Sequence, residues 1–549
     1  MTRPPSAAIP ATHPVSVRRA LRDRTEIALL DVRPEARFAE GHPLFAASFP
    51  LGRLEAEVFD RLPRRSVTLV VYGDGPDDAD AAVRGLRHLG YGDVSVLAGG
   101  LAGWVAAGGE LFRDVNAPSK AFGELVAATA GTPDVAAAEV RALLRGNADV
   151  VVVDARRFDE YHTMSIPTAT SVPGAELVLR VGALAPDPAT MVVMNCAGRT
   201  RSIIGTQSMI NAGTPNRVVA LRNGTIGWTL AGLPLDHGQD RRPAGIPAGM
   251  ARRAKAAAWA VARKAGVRAI GGARLRSLAD GGQRTVYRFD VRSAEDYAAG
   301  HLAGFRSAPG GQLVQETDWY APVRGALVVL ADDDGGRAAM TASWLAQMGW
   351  DVAVLLGRQP GPREEGPWVP TLPARPEVPL AAPAQLADWL PAGQALVIDI
   401  DTSRRFLAGH VPGAAWALRT DLSDAALLDR LGGPSRLVLT SADGALAAFA
   451  AADLPEHPGT EVAVLAGGTA GWAQSGRPLQ AGQGVLAVAA HRYLPPAVRG
   501  NRRGRRRHAG LPGLGARARG AVGAGRHPRL HRADLSSITY LRDRIYSYE

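Results

Sequence analysis

The sequence predicts an α/β protein of four tandem domains, each a central parallel sheet flanked by helices. The first observation is length, because 549 residues are several times the roughly 100–200 residues of one domain. The second is internal repetition, since four segments follow the same order of apolar runs and Ala-rich stretches. The third is composition: with 46% hydrophobic and 21% charged residues, disorder along the whole chain is excluded.

Each repeat opens with an apolar run that ends in an aspartate. Continuous Val, Leu and Ile residues are typical of a strand buried on both faces of a sheet. The aspartates are Asp31, Asp154, Asp290 and Asp399. An aromatic residue follows seven positions later in every repeat: Phe38, Tyr161, Tyr297 and Phe406. Eleven positions after the aspartate stands a histidine, or a serine in the second repeat: His42, Ser165, His301 and His410.

These recurring residues are interpreted as structural. The aspartates occur in repeats with and without a cysteine, so we expect them to fix a turn or to pair with an arginine rather than to act as general bases. The candidate partners are Arg33, Arg156 and Arg292. The histidines occur only in repeats that lack a thiol, so none can form a Cys–His pair within its own repeat. The tryptophans that close three repeats are expected to be core aromatics: Trp104, Trp228 and Trp472.

A second apolar run in each repeat leads to one variable position, 42 or 43 residues after the aspartate. The residues at this position are Asp74, Cys196, Asp332 and Ala442. An Ala-rich stretch with helical spacing follows, and a third strand-like run completes the repeat. The pattern therefore predicts that each variable residue lies between a buried strand and a helix.

The register of the repeats sets the predicted domain boundaries. The domains are expected at 1–112, 130–236, 262–372 and 376–480, with the cysteine only in the second, and 481–549 forms a tail. Between the second and third domains, a Pro/Gly hinge precedes a basic amphipathic stretch. We interpret this stretch as an interdomain brace, with a membrane-surface helix as the alternative.

The tail carries the whole net charge of the protein. It holds 14 Arg, no Lys and 3 acidic residues, so the net charge of +11 lies in it and the body is neutral. Three interpretations stay open: an RNA-binding arm, a disordered extension and a product of an altered reading frame. For the body we expect neither a nucleic-acid partner nor a membrane.

The single cysteine limits the chemistry of the chain. One thiol excludes an intramolecular disulfide and a multi-thiolate metal cluster, and it favours a reducing, cytoplasmic setting. The N-terminal stretch lacks the apolar run of a secretory signal, and no run reaches the length of a membrane helix. We therefore expect a soluble protein without a metal ion or a cofactor.

The surroundings of Cys196 predict a reactive thiol. The residue follows a strand and precedes a helix expected to begin near Ser202, so the thiol faces the positive end of the helix dipole and unpaired N–H groups. Arg199 and Arg201 add positive charge, and electropositive surroundings of this kind favour the thiolate. The two arginines suit an oxyanion on the substrate. The alternatives are a small buried hydrophobic residue for the cysteine and solvated surface charge for the arginines.

The second repeat resembles a rhodanese (sulfurtransferase) domain. The similarity rests on CAGRTRS after the strand VVMN, on the upstream DARRFDEYHTMSIP and on the closing LRNGTIGWTLAGLPL. The other three repeats resemble rhodanese domains without the cysteine, so the resemblance covers 1–480. Ser165 replaces the histidine of a Gly-His pair that is structural in the family. The resemblance implies that Cys196 carries the sulfur as a persulfide, inside a cradle formed by Ala197, Gly198, Arg199, Thr200 and Arg201.

The predicted function is that of a sulfurtransferase. It would take a sulfane sulfur from a small anionic donor such as thiosulfate. With no second cysteine, the acceptor must be an external thiol, cyanide or a partner protein. A non-catalytic, partner-binding scaffold is one alternative, because three repeats lack a nucleophile. A thiol phosphatase is another, but only four residues separate Cys196 from Arg201, and this short loop favours a sulfur-sized centre over a phosphoryl group.

Overall fold

The computed structural model describes residues 9–487 with short gaps. The gaps are 334, 358–361, 423, 425–430, 432–434, 455–458 and 483, and the side chains of 279 and 280 are also left out. The three interpretations of the basic tail concern residues that lie almost entirely beyond this range, because 488–549 is outside the described residues.

The four repeats are called modules 1 to 4 in chain order, and they fall into two compact units. One unit contains module 4 and most of module 1, within Met1–Arg18, Ala28–Val115 and Val369–Gly500. The other contains modules 2 and 3, within Asn116–Trp368, together with the short segment Arg19–Ile27 of module 1.

Modules 1 and 2 share one order of elements. Module 1 contains β1 Ala11–Thr12, α1 Pro14–Asp23, β2 Ile27–Asp31, α2 Glu35–Glu40, β3 Ala46–Ser48, α3 Leu54–Arg61, β4 Thr68–Tyr72, α4 Pro76–His88, β5 Val94–Leu97 and α5 Gly100–Ala106. Helix α6, Ala117–Ala130, follows it. Module 2 contains β6 Asp134–Val135, α7 Ala137–Arg145, β7 Val150–Asp154, α8 Phe158–Thr163, β8 Thr170–Ser171, α9 Leu177–Leu184, β9 Met191–Asn195, α10 Thr200–Asn211, β10 Val218–Leu221 and α11 Gly224–Leu230.

Modules 3 and 4 vary this order slightly. Helix α12, Ala248–Lys264, precedes module 3. Module 3 contains β11 Arg268–Ile270, α13 Gly272–Asp280, β12 Val286–Asp290, α14 Ala294–Ala298, β13 His301–Leu302, β14 Arg306–Ser307, α15 Gly310–Gln315, α16 Thr317–Tyr320, β15 Leu327–Ala331, α17 Gly336–Gln347, β16 Asp351–Leu355 and β17 Arg363–Glu364. Module 4 contains β18 Leu380–Ala381, α18 Pro383–Trp389, β19 Leu396–Asp399, α19 Ser403–Ala408, β20 Ala415–Trp416, β21 Arg436–Thr440, α20 Ala445–Asp453, β22 Glu461–Leu465, α21 Gly468–Gln474 and β23 Val485–Leu486.

The four main sheets are parallel, as the sequence predicts. In module 2 the strand order is β6-β10-β9-β7-β8, and β9 is central because it pairs with both β7 and β10. Residues 192–195 of β9 are buried, which explains the apolar run at 192–194. Cys196 directly follows this strand and thus stands at the carboxyl edge of the sheet, where open α/β sheets bind their ligands.

The recurring aspartates, histidines and tryptophans have structural roles in the described residues. Arg156 donates from Nε and Nη2 to the carboxylate of Asp154 at 2.9 and 2.7 Å, and Asp31 and Asp290 hold their arginines in the same way. The buried histidines stack on the recurring aromatic rings, with centroids 3.6 to 3.9 Å apart. Each of the three tryptophans is buried and donates its indole N–H to a carbonyl six residues later. The predicted Asp–Arg pairs and core aromatics are confirmed.

Helices α6 and α12 occupy equivalent places before modules 2 and 3. Helix α12 packs against α9 of module 2 and α17 of module 3, so it braces the two modules, as the first interpretation of the basic stretch expects. Helix α6 packs on α10 and lies largely outside the predicted boundaries. Within the described part of the chain, no helix is both long enough and apolar enough to cross a membrane.

Module 4 extends past its predicted end. Strand β23 lies in the stretch assigned to the tail, yet Val485 pairs with Ala415 and Leu486 with Trp416 at the edge of the sheet. Gly484 fits tightly beneath this strand, because an added Cβ would approach the ring of Phe406 to 2.8 Å. This strand could not be predicted from the sequence, because two residues are too few to show a period.

Candidate functional site

The thiol of Cys196 is buried at the start of the loop between β9 and α10. Its exposed fraction is 1%, and Sγ lies 3.4 Å from the hydroxyl of Ser202, which in turn donates to the carbonyl of Arg199 at 2.8 Å. Helix α10 begins at Thr200, two residues earlier than the sequence indicated. The side chain of Cys196 is thus buried although its neighbours in the sequence are polar. It points inward, and the loop turns around it.

The loop is fixed from behind by the start of α11. The carbonyl of Cys196 accepts from the N–H of Thr225 at 2.8 Å, and the carbonyl of Ala197 accepts from the N–H of Ile226 at 3.0 Å. Gly224 permits this contact: its φ is +51°, and a Cβ there would lie 2.2 Å from the Cys196 carbonyl oxygen. The motif LRNGTIGW therefore positions the nucleophile loop.

A buried polar chain connects the loop to the Asp–Arg pair of module 2. The amide group of Asn195 donates to Asp154 at 2.8 Å and to the hydroxyl of Thr225 at 3.1 Å. Asp154 is also held by Arg156, so the carboxylate is fully occupied as a structural anchor. These hydrogen bonds explain why the carboxylate of Asp154, although near the thiol, need not take part in proton transfer.

The backbone of the loop presents a row of hydrogen-bond donors. Within the described residues, no acceptor meets the N–H groups of residues 197–202, while the carbonyls of Cys196 and Ala197 are bound on the other side. The N-terminus of α10 adds its positive dipole end to this row. Backbone donors arranged in this way form an anion-binding concavity.

Module 3 carries a carboxylate at the equivalent position. Asp332 corresponds to Cys196, and its carboxylate accepts from the N–H groups of Gly335 and Ala338, the latter at 2.9 Å. These two residues correspond to Arg199 and Ser202. In module 3, two loop N–H groups thus bind an anion that the chain itself supplies, although the backbone differs at the equivalent residues, with a φ of +86° at Gly335 and −125° at Arg199.

Arg199 is paired with a carboxylate outside the repeat. Its Nε and Nη2 donate to the two oxygens of Glu124 on α6 at 2.5 and 3.0 Å. The Glu124 hydrogen bond is the main cause that raises the pKa of Arg199, against the opposing effect of burial. Nη1 of Arg199 makes no hydrogen bond within the described residues, and the side chain is one-third exposed.

Arg201 is more deeply engaged. Both of its Nη atoms donate to Glu160 of α8, at 2.7 and 2.9 Å, and its side chain is only 15% exposed. Burial opposes its charge, but Glu160 and then Cys196 hold the pKa of Arg201 above the ordinary value. Burial also opposes the charge of Glu160, yet Arg201 lowers the pKa of this carboxyl to about 2. The two arginines are treated alike at the level of sequence, but they differ in the structure: Nη1 of Arg199 has no hydrogen-bond partner within the described residues, whereas both Nη atoms of Arg201 are engaged.

The structure places the sequence-predicted site residues in one loop and adds two carboxylates that the sequence analysis missed. Residues 196–201 follow one another around the thiol, and their role in substrate binding stays a prediction. Glu160 stands six residues after Asp154, where the other repeats have Arg or Asp, and that difference was the available signal. Glu124 belongs to α6, which precedes the repeated segment that the sequence defines. No local signal in the sequence therefore pointed to it. Among the described residues, no group of three or more His, Cys, Asp or Glu side chains is arranged to hold a metal ion.

Fold and site together define a tandem-repeat α/β protein with one thiol-bearing module. The Rhodanese-like domain family model matches residues 14–107, 136–231, 273–357 and 382–475. The chain therefore belongs to the rhodanese family, and its enzyme class is that of the rhodanese-type sulfurtransferases.

The chain is similar to one solved structure over nearly its whole length and to two curated proteins over about a fifth of its length. A crystal structure of thiosulfate sulfurtransferase from Pseudomonas aeruginosa is 52% identical, with a TM-score of 0.88, and the match covers 94% of this chain and 98% of that chain. An HTH-type transcriptional regulator of Mycobacterium tuberculosis is 34% identical over 20% of this chain and 47% of its own length. An uncharacterized protein of Synechocystis is 33% identical over 18% of this chain and 54% of its own length. The chain spans about half the length of these two curated relatives.

Proposed function

We propose that module 2 moves a sulfane sulfur from an anionic donor such as thiosulfate to an external acceptor, through a persulfide on Cys196. The observation that carries this proposal is the position of the only thiol of the chain at the start of a loop whose backbone donors meet no acceptor within the described residues. The similarity to thiosulfate sulfurtransferase from Pseudomonas aeruginosa supports thiosulfate as the donor.

The reaction divides into two displacements. In the first, the Cys196 thiolate attacks the outer sulfur of thiosulfate, a new Sγ–S bond forms, and the old S–S bond breaks as sulfite leaves with the electron pair. In the second, an acceptor nucleophile attacks the terminal sulfur, and Cys196 leaves as the thiolate. The acceptor would be a thiol, cyanide or a partner protein, because the chain has no second cysteine.

The loop supplies electrostatic stabilisation for both steps. A persulfide anion carries its charge two bonds beyond Cβ, which is also where the carboxylate oxygens of Asp332 lie in module 3. By this correspondence, the N–H groups of Arg199 and Ser202 would hold the terminal sulfur. Preorganised donors of this kind reduce the barrier because they need no reorganisation during the reaction.

The side chains around the loop have separate proposed roles. Arg199 would contact the oxyanion end of the donor through Nη1. Arg201 would act on the thiol through its charge while Glu160 fixes its position, and the small residues Ala197, Gly198 and Thr200 would leave room for the donor. The engagement of both Arg201 Nη atoms also argues against a thiol phosphatase, which needs an arginine fork for the phosphoryl group.

Intact-mass analysis tests the proposal. After incubation with thiosulfate and removal of small molecules, the wild-type chain is expected to gain the mass of one sulfur atom, and cyanide should remove it. Cys196→Ser should gain nothing and lose sulfur transfer, while its thermal unfolding stays close to wild type because Ser is nearly isosteric. A parallel incubation with mercaptopyruvate identifies the preferred donor. Equal mass gain in the variant, or none in the wild type with any donor, would contradict the proposal and favour a binding scaffold.

A cytoplasmic location is part of the same proposal. It rests on the single cysteine, which suits a compartment where thiols stay reduced.

A further inference from the structure

Helix α6 places a negative charge beside Arg199, the residue proposed to contact the anionic sulfur donor. The helix precedes the domain that carries the thiol. The family match of module 2 begins at residue 136, whereas Glu124 lies on α6. Glu124 binds Arg199 through two hydrogen bonds at 2.5 and 3.0 Å and is one-fifth exposed.

Helix α6 is held firmly at this place. Gly123 lets it approach α10 closely, because a Cβ on that residue would lie 3.1 Å from Cγ2 of Thr200. The Ser119 hydroxyl donates to the carbonyl of Gln315 in module 3 at 2.7 Å. The ring of Phe122 packs edge-on against Trp344, with centroids 6.0 Å apart. These contacts make Glu124 a fixed charge rather than a mobile one.

The ion pair accompanies the thiol within this unit. In module 3 the position of Arg199 is taken by Gly335 and that of Glu124 by Trp259, whose indole lies beside Gly335, so both members of the ion pair are missing where the cysteine is missing. Packing of α6 on α10 does not require the pair, because α12 packs on α17 without one. The pair is therefore tied to the chemistry of module 2 rather than to its fold.

A carboxylate beside a donor-binding arginine weakens the attraction of that arginine for anions. The other charges that act on Arg199 are Asp134 and Arg222, which pair with each other at 2.5 Å and largely cancel. Glu124 thus controls the net charge at this end of the loop. A site that binds thiosulfate must also release sulfite, so tight anion binding would slow product release.

Resting on the function proposed above, we propose that Glu124 is a specificity-determining residue that sets how strongly the site binds anionic donors and anionic products. It does so by compensating the charge of Arg199 while leaving Nη1 free.

Glu124→Gln tests this inference, because the amide keeps one hydrogen bond to Arg199 and removes the charge. The expected result is a KM for thiosulfate and an inhibition constant for sulfite that both fall on the order of 5-fold, with the effect shrinking at high ionic strength. The KM for an uncharged alkyl trisulfide should change little. Glu124→Asp keeps the charge and should stay near the wild-type KM for thiosulfate.

The matched control is Glu461→Gln, which removes an exposed carboxylate paired with Arg436 in module 4 and makes the same change in net charge. Equal KM changes in this control, or equal changes for charged and uncharged donors in Glu124→Gln, would overturn the inference. Unaltered KM values in a folded Glu124→Gln would do the same. If wild type never gains sulfur, the proposed function itself fails, and sulfite binding measured by calorimetry still decides the role of Glu124.

Discussion

The nucleophile loop of module 2 and the corresponding loop of module 3 both join a buried strand to a helix, but they differ in the residue that follows the strand. In module 3, Asp332 accepts from two loop N–H groups with its own carboxylate. In module 2, Cys196 leaves the N–H groups of residues 197–202 unpaired within the described residues. The backbone before the helix also differs, with a φ of −125° at Arg199 and +86° at Gly335. The comparison teaches that a carboxylate at this position satisfies the loop from within the chain, whereas a thiol leaves the loop N–H groups open to a substrate or a persulfide.

Gly224→Ala is expected to have the largest effect on this comparison. The new Cβ would collide with the carbonyl oxygens of Cys196 and Gly198 and would hold a strained backbone at φ +51°. Displacement of the loop should reduce kcat/KM about 100-fold in a thiosulfate–cyanide assay. Gly100→Ala is the control, since Gly100 has a φ of +54° but open space around its Cβ. A comparable loss of activity in Gly100→Ala would show that backbone strain anywhere in the chain lowers activity.

Arg199→Ala should weaken the binding of an anionic sulfur donor more than the binding of an uncharged one. A charge-assisted hydrogen bond contributes about 1.5–3 kcal/mol, so the KM for thiosulfate is expected to rise roughly 10- to 150-fold. Arg201→Ala should instead lower turnover with both donors and lower the melting temperature, because it leaves Glu160 without its main partner. If Arg199→Ala raises the KM equally for charged and uncharged sulfur donors, Arg199 shapes the loop and does not bind the donor.

Asp332→Ala sharpens the comparison from the side of module 3. The change removes the acceptor of two buried loop amides, which is expected to cost about 1–3 kcal/mol of stability. Chemical unfolding should show this loss, whereas persulfide formation on Cys196 should stay within a few-fold of wild type. Asp332→Asn keeps one acceptor oxygen and should be intermediate. Unchanged stability in Asp332→Ala would mean that the module 3 loop does not depend on its internal anion.

The smallest expected effect concerns module 4 and is a change in how the stability of the protein depends on pH. Asp401 stands where the other modules have the arginine partner, so burial, with a contribution from the Asp401 charge, raises the pKa of Asp399 to about 7. Between its ordinary pKa and about 7, the folded protein keeps this proton and the unfolded chain releases it, so stability falls as pH rises through that range. Each unit of the raised pKa corresponds to about 1.4 kcal/mol.

Asp399→Asn should therefore raise the melting temperature at about pH 8 and remove most of the decline between about pH 5 and pH 8. The control is Asp31→Asn in module 1, where Arg33 holds the carboxylate through charge-assisted hydrogen bonds and the same substitution should destabilise. Parallel pH profiles for wild type and Asp399→Asn would contradict the assignment of the raised pKa.

The sequence sufficed for the features that repeat or that are local. The four modules, the Asp–Arg pairs and the loop from Cys196 to Arg201 all follow from spacing within about 45 residues, and the structure has them. The partners of the loop arginines did not follow. Glu124 lies 75 residues before Arg199, and Glu160 lies 41 residues before Arg201, and such pairs form only once the helices pack. Charge pairing between distant helices leaves no periodic trace in a single sequence.

Helix α6 also determines how far the protein can be trimmed. A shortened gene that begins at residue 136 would encode Cys196 and its whole loop, yet the product would lack Glu124 and the surface that covers Thr200. Because Ser119 and Phe122 anchor α6 on module 3, retaining the helix means retaining that module as well. The smallest fragment that preserves every contact of the nucleophile loop is thus Asn116–Trp368, which is the main segment of one compact unit.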